Sequence, residues 1–322
     1  MNLKKIERIH NSLYNKRLKR STKIQKRMRE VLSVHLTENE LKNLDKRRQD
    51  DFILERNFFR DILFFLREKH NIPDIVFFPS STLLMPGITL TENDYILNYS
   101  KKFQQTLCDI CVLTSFLFFE DDNDRLSDDD ERRLKNIFIG YIDTYANCRK
   151  MPVVNETIEK IYKAESVILG SAMARGILAF ILCHEMAHVI INPTLKEVSC
   201  SEEFQADKLG CEMYFELLLS KKTFGSIKLD PSMNRAPLLL MDLLDLIDEY
   251  MINITQKPLA SDSSHPSAEM RKCYLLNSFL FQCEKDSCML YQIFYEQWMA
   301  IKAHLHINVE NIVPNIKAMS GE

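Results

Sequence analysis

The most constraining feature of the sequence is a long apolar run that ends in two histidines four residues apart. The stretch Gly176–Leu209 reads GILAFILCHEMAHVIINPTLKEVSCSEEFQADKL. The eight residues before His184 carry no charge, and the chain stays largely apolar past His188 to Ile191. A helix that is apolar on all sides is typically buried. We therefore expect the chain to build its core around this helix.

His184 and His188 share one face of the predicted helix, with Glu185 beside them. Residues four apart in a helix lie about 6 Å from each other along the axis. Two imidazoles at this spacing can bind one zinc ion. Glu185 is rotated by roughly 100° from His184, so it flanks the metal where a general base for an attacking water should stand. This HExxH pattern predicts a zinc hydrolase site.

Glu203, fifteen residues after His188, is the predicted third metal ligand. It opens a second predicted helix, and the loop before it lets the chain double back. Asp207 follows four residues later on the same face, where it can accept the free N–H of a liganding histidine. Glu202 is the competing ligand, but its offset of five from Asp207 turns the two side chains apart.

The segment SHPSAEMR contains two further candidate residues. A zinc hydrolase needs a donor for the oxyanion that develops as the carbonyl becomes tetrahedral. His265 is that candidate, because Pro266 fixes the backbone at a helix entry. Arg271 is expected on the following helix, where it could pair with Asp207 or Glu203.

Three motifs then carry a resemblance to known peptidases. HEMAH, EFQADKLG and SHPSAEMR follow the order HExxH, ExxAD and HPxxxxR of gluzincin metallopeptidases such as the HtpX-like group. From Glu165 to Arg271, about a third of the chain, the sequence more closely resembles the Lit-type phage-exclusion peptidases of bacteria. Those peptidases are soluble and are associated with cutting a host translation factor when a phage signal appears.

The resemblance implies a role for each matched residue. It implies zinc binding by His184, His188 and Glu203, a general base at Glu185, and an oxyanion or substrate contact at His265. Each residue taken alone also has a structural alternative. His184 and His188 could be buried core histidines, and the acidic residues could form a solvated helix face. Their joint occurrence in this order favours the metal site.

Composition favours a helical fold. Only 7 of 322 residues are glycine, against a usual level of about 7%, so tight turns should be few. Hydrophobic residues make up 46% and charged residues 27%, which suits a packed core. We find no GxGxxG or Walker-type loop, which argues against nucleotide-binding folds. We predict a helix-dominated α+β protein with a zincin-like metallopeptidase core and a small β-sheet upstream of the active-site helix.

The chain is predicted to have three regions. Residues 1–50 carry fifteen Lys or Arg against six Asp or Glu and form a basic helical arm. Residues 51–150 form a helical region with short strands at Ile75–Phe78, Gly87–Leu90 and Tyr95–Asn98, whose edge could hold an extended substrate. Residues 151–322 form the catalytic core and C-terminal helices.

Helices are predicted from apolar periodicity and from their flanking residues. They span Phe52–Lys69, Lys101–Phe119, Leu134–Asn147, Asn155–Ile191, Glu202–Leu219, Leu238–Ile254, Ala268–Phe281 and Ser287–His304. The long helix that carries the histidines could be interrupted near Gly170 or Gly176. Pro231 and Pro237 predict a linker.

Cysteine usage and hydropathy predict a cytoplasmic protein without a transmembrane segment. The nine cysteines show no framework spacing, and the N-terminus shows no signal peptide. A CxxC at Cys108 and Cys111 stands alone. The most apolar region, Val167–Ile191, is broken by charged residues and histidines, so its uncharged runs fall short of the roughly 18 residues of a membrane span.

These observations predict a soluble zinc-dependent endopeptidase that cuts an intracellular protein, in phage exclusion or stress defence. Its partners would be a protein or peptide substrate and an activating partner, because an unregulated protease would harm its host. Two other functions stay open. One is a catalytically silent zincin-like binding or regulatory module. The other is a repressor-cleaving peptidase docked by the basic arm, although nothing in residues 1–50 matches a nucleic-acid module.

Overall fold

A computed structural model describes residues 57–80, 85–91, 95–118, 139–140, 164–195, 199–255, 265–279, 289–300 and 302–303. The predicted basic arm at residues 1–50 and most of the predicted helix at 134–147 lie outside the described residues, as do the predicted boundaries at 50 and 150. Helices make up most of the described chain, and small sheets accompany them. The predicted helix-dominated α+β class is confirmed.

The described residues include seven helices of more than two residues, five strands and a 3-10 helix, and residues 139–140 are also helical. Helix α1 covers residues 57–70, and a three-stranded sheet of order β1-β3-β2 follows, with β1 at Ile75–Ser80, β2 at Gly87–Leu90 and β3 at Tyr95–Ser100. The remaining helices are α2 (Lys101–Phe118), α3 (Ala164–Ile191), α4 (Cys200–Leu219), α5 (Ala236–Thr255), α6 (Ala268–Ser278) and α7 (residues 289–300 and 302–303). The hairpin β4 (Thr223–Phe224) and β5 (Ile227–Lys228) follows α4, and the 3-10 helix covers Pro231–Arg235.

The chain divides into two compact units. The smaller unit contains α1, most of the three-stranded sheet and the β4–β5 hairpin. Within it, the ring of Phe65 packs edge-on against Phe224, with centroids 5.8 Å apart. The backbone N–H of Gly225 donates to Oδ2 of Asp61 at 2.8 Å. The hairpin is therefore attached to α1 by both an aromatic contact and a hydrogen bond.

The β4–β5 hairpin was not predicted, although the sequence contains a signal for it. Thr223 pairs with Lys228 and Phe224 with Ile227, in antiparallel register. Gly225 has a φ of 60° and occupies the first position of the two-residue turn, as in a type II′ hairpin. Two-residue strands are too short for alternation to stand out from the flanking helices.

The larger unit is organised around α3, whose central residues are almost all buried. From Met173 to Val189, Arg175 is exposed and Glu185 is partly exposed, and the other residues are buried. Helix α3 packs against α2 on one side and against α4 on another, with α5 also in contact. Apolar residues on all sides thus produce the buried helix that the sequence predicts.

Helix α3 is continuous, so the predicted interruption at Gly170 or Gly176 is wrong. A Cβ at Gly170 would lie 2.4 Å from Cα of Val112 on α2, closer than any real contact. A Cβ at Gly176 would lie 3.1 Å from the hydroxyl of Tyr214 on α4. These glycines allow neighbouring helices to approach α3 closely.

Among the described residues, one helix is long and apolar enough to cross a membrane by length and composition alone. It is the Val167–Ile191 part of α3, and 67% of the most apolar window is buried inside the protein. Core helices that pack against other helices pass the same test.

The predicted linker around Pro231 and Pro237 is instead ordered helix. Asp230 caps the 3-10 helix by accepting a hydrogen bond from the N–H of Ser232 at 2.8 Å. Helix α5 begins directly afterwards at Ala236. Pro237 lies in the first turn of α5. A backbone N–H at this position would have no intrahelical acceptor, so proline costs the helix no hydrogen bond here.

We predict that Gly170→Ala destabilises the protein by about 1–3 kcal/mol or more. Alanine favours a helix over glycine by about 1 kcal/mol, but overlap with the backbone of Val112 outweighs that gain. Gly87→Ala is the control, because its Cβ would meet only the carbonyl of Met85 at 4.0 Å. Urea unfolding of both variants measures the difference, and equal unfolding free energies would contradict this account of the α2–α3 contact.

Candidate metal centre

His184 and His188 meet on one face of α3. Their Nε2 atoms lie 3.0 Å apart, and their rings are nearly perpendicular with centroids 4.6 Å apart. Both residues are buried, with 8% and 7% of their surface exposed. Two imidazole nitrogens this close, at a site shielded from water, are suited to sharing one cation.

Helix α4 brings Glu203 to the same point. Oε2 of Glu203 lies 3.6 Å from Nε2 of His184, and Oε1 lies 3.5 Å from Nε2 of His188. The neighbouring Glu202 has a different task. Its carboxylate accepts from the N–H of Ser199 at 2.8 Å, while the Ser199 hydroxyl accepts from the N–H of Glu202. This capping box starts α4 and leaves Glu203 to face the histidines.

The donor atoms of these three residues fit a tetrahedral metal ion. All lie within 4.8 Å of one another, and the Nε2–Nε2 and Nε2–carboxylate distances are 3.0, 3.5 and 3.6 Å. A tetrahedron with bonds of about 2.0–2.1 Å, as in protein zinc sites, has edges of about 3.3–3.4 Å. His184, His188 and Glu203 could therefore hold a zinc-sized ion with little movement.

Asp207 is placed to orient His184. Its Oδ1 lies 3.0 Å from Nδ1 of His184, and the carboxylate is fully buried. The distance suits a hydrogen bond, although the imidazole N–H does not point directly at the oxygen. A proton on Nδ1 leaves Nε2 as the acceptor that a metal requires.

Arg271 reaches the same carboxylate from α6. Its Nε and Nη2 donate to Asp207 Oδ2 and Oδ1 at 2.7 and 2.6 Å, and Nη2 also lies 3.5 Å from Oε2 of Glu203. The sequence left open whether Arg271 would pair with Asp207 or Glu203. It contacts both, with the two-pronged contact on Asp207.

Both buried carboxylates are held in the ionised form. Burial alone would raise the pKa of Glu203, but the hydrogen bond with His188 and the charges of His184 and Arg271 lower it to about 2. Burial also opposes ionisation of Asp207, and Arg271 and His184 lower its pKa to about 2. The site therefore presents negative charge at neutral pH, as a cation site requires.

The two remaining predicted site residues are more exposed than the three candidate ligands. Nε2 of His265 lies 3.3 Å from Oε1 of Glu203, and its side chain is 44% exposed. Glu185 is partly exposed. Burial alone would lower the pKa of His188, but the hydrogen bond with Glu203 and the negative charge of Glu185 raise it. The structure thus brings all seven predicted residues into one region of the larger unit.

Gly210 is a site residue that the sequence analysis missed. It lies seven residues after Glu203, on the same face of α4 as Asp207. A Cβ at Gly210 would lie 2.8 Å from Cα and 2.9 Å from the backbone nitrogen of His184. The absence of a side chain here lets α4 touch the backbone that carries the histidine. Its spacing from Glu203 and Asp207 places Gly210 on the same face of α4, and this spacing was the sequence signal from which its role could have been predicted.

No family model, no curated protein and no solved structure matches the chain. The candidate site is therefore defined by its geometry.

We predict that Gly210→Ala weakens metal binding by at least about tenfold, comparable to the loss of a residue that orients a ligand. The new methyl group would push α4 away from His184 and so separate Glu203 from the histidines. Titration with zinc against a competing chelator measures the affinity. Gly176→Ala is the control, since its contacts of 3.1–3.3 Å are looser and lie away from the ligands. An unchanged affinity in Gly210→Ala would contradict this role.

Proposed function

We propose that the protein is a zinc-dependent endopeptidase. The observation that carries the proposal is the convergence of His184, His188 and Glu203 at tetrahedral spacing, with Glu185 next to the first histidine. A metal held only for structure usually has four protein ligands, whereas catalytic sites keep one position open. Among the described residues, three donors converge, and with a partly exposed glutamate beside them they fit the catalytic arrangement better.

The residues of the site have distinct tasks in peptide hydrolysis. Bound zinc would supply Lewis acidity, polarising the substrate carbonyl and lowering the pKa of water toward neutrality. The carboxylate of Glu185 accepts the proton of the attacking water and returns it to the leaving amine. His265, whose Nε2 lies 3.3 Å from Oε1 of Glu203, donates a hydrogen bond to the developing oxyanion. Asp207 keeps His184 in the tautomer that presents Nε2.

The substrate is proposed from the resemblance alone. Lit-type peptidases suggest an intracellular protein as target and phage exclusion or stress defence as the setting. Among the described strands, β1 and β2 lie at the edges of the three-stranded sheet, and a sheet edge is suited to holding an extended peptide. Control by an activating partner and a cytoplasmic location complete the proposal.

We predict that Glu185→Gln retains the metal and loses hydrolysis by a factor of at least about 10², the lower range for loss of a general base. The amide has the size of the carboxylate but cannot accept the proton. Mapping of new protein termini in cells that express wild type or Glu185→Gln measures cleavage and names the substrate. Identical sets of termini would leave a metal-binding module without peptidase activity as the better description.

We predict that Glu203→Ala abolishes stoichiometric metal binding, whereas Glu202→Ala retains it. The first variant removes a ligand. The second removes part of the helix cap and should cost about 1 kcal/mol of stability without affecting the site. Elemental analysis of both purified proteins gives the metal content. In the wild type, added zinc should raise the melting temperature, because it binds only the folded site. Full metal content in Glu203→Ala would refute the ligand assignment.

A further inference from the structure

Four side chains form a closed ring at the metal centre. His184 contacts Glu203 through Nε2 at 3.6 Å and Asp207 through Nδ1 at 3.0 Å. Nη2 of Arg271 completes the ring, at 2.6 Å from Oδ1 of Asp207 and 3.5 Å from Oε2 of Glu203. A single guanidinium nitrogen therefore joins the carboxylate of a proposed ligand to the carboxylate that orients another ligand.

We infer that Arg271 is a positioning residue for two of the three metal ligands, holding His184 through Asp207 and Glu203 directly. The inference rests on the proposed zinc site, and it assigns to a residue of α6 the geometry of ligands on α3 and α4. Neither ligand helix contains this residue.

The physical need for such a residue arises from the two carboxylates. Glu203 and Asp207 are one turn apart on α4 and expose only 3% and 0% of their surface. Like charges at this spacing repel, and a buried charge without a partner is costly. A cation between them removes the repulsion that would otherwise turn the side chains apart.

Arginine suits this position better than lysine. Its planar fork binds both oxygens of Asp207, which fixes the plane of that carboxylate and hence the direction in which it faces His184. In this geometry Nη2 also faces the carboxylate of Glu203. A lysine ammonium would supply the charge at one point without fixing the plane.

The neighbouring Lys272 is a natural control. It lies on the same helix, and its Nζ binds Oδ1 of Asp242 on α5 at 2.5 Å and lies 4.8 Å from the ring centroid of Tyr295. Helix α6 is short and buries few apolar side chains, chiefly Ala268 and Leu275. Arg271 and Lys272 thus both help to attach α6, but only Arg271 contacts the metal centre.

A double-mutant cycle on the full-length protein tests the inference. The variants are Asp207→Asn, Arg271→Gln, their combination and Lys272→Gln, and zinc affinity is measured by competition with a chelator. We expect Asp207→Asn to weaken binding by about tenfold and Arg271→Gln by about 100-fold, across the range for residues that orient ligands. In the Asp207→Asn background, Arg271→Gln should still weaken binding, because the direct contact with Glu203 remains to be lost. Lys272→Gln should stay close to wild type.

Visible absorption of the cobalt-substituted proteins provides a second measurement that depends on ligand geometry. Wild type and Lys272→Gln should share an intense spectrum typical of tetrahedral cobalt, whereas Arg271→Gln should lose intensity. Arg271→Lys keeps the charge without the fork and should give intermediate affinity and an altered spectrum. This variant also serves if Arg271→Gln fails to fold.

Each contrary result has a separate meaning. Equal losses in Arg271→Gln and Lys272→Gln would show that Arg271 only attaches α6, and would overturn the inference. No further loss in the Asp207→Asn background would overturn the direct contact with Glu203. Wild-type affinity and spectrum in Arg271→Lys would overturn the role of the fork. A wild-type protein that binds neither zinc nor cobalt would overturn the proposed function itself, and this inference with it.

Discussion

Two carboxylates buried one helical turn apart, Glu203 and Asp207, are the constraint on which the larger unit depends. Each must find positive charge or hydrogen-bond donors within the protein, because water does not reach it. The donors come from His184 on α3 and from Arg271 on α6. Helices α3, α4 and α6 therefore have to pack against one another at the two carboxylates, and this contact constrains how the helices of the larger unit are arranged.

The meeting requires unusually close helix packing, which the scarce glycines provide. Gly170 and Gly210 lie where α3 comes into backbone contact with α2 and α4. In the second case, the contact is with the backbone of His184 itself, so the packing of the core and the geometry of the site share one residue. A chain that is poor in glycine elsewhere places it where a side chain would keep helices apart. Stability and the proposed metal chemistry consequently depend on the same contacts.

Local signals predicted much of this arrangement. The apolar run before His184 and the apolar periodicity of the other segments define helices through interactions a few residues apart, and the described helices follow those predictions closely. The HExxH spacing places two imidazoles on one face by helical geometry alone. The packing roles of Gly170 and Gly210 were not predicted, because they depend on which helix packs against each glycine. The short β4–β5 hairpin was missed although Gly225 marks its turn, since its attachment to α1 depends on Asp61 and Phe65, more than 150 residues earlier in the sequence.

The position of α6 in the chain has a consequence for biosynthesis. All three proposed ligands belong to the first 203 residues, whereas Arg271 is translated 68 residues after Glu203. A nascent chain that has exposed α3 and α4 thus carries the ligands while its two buried carboxylates still lack their guanidinium partner. The site is complete only after α6 has left the ribosome. The order of translation places the last charged group of the site late, after helices α1 to α5 have been made.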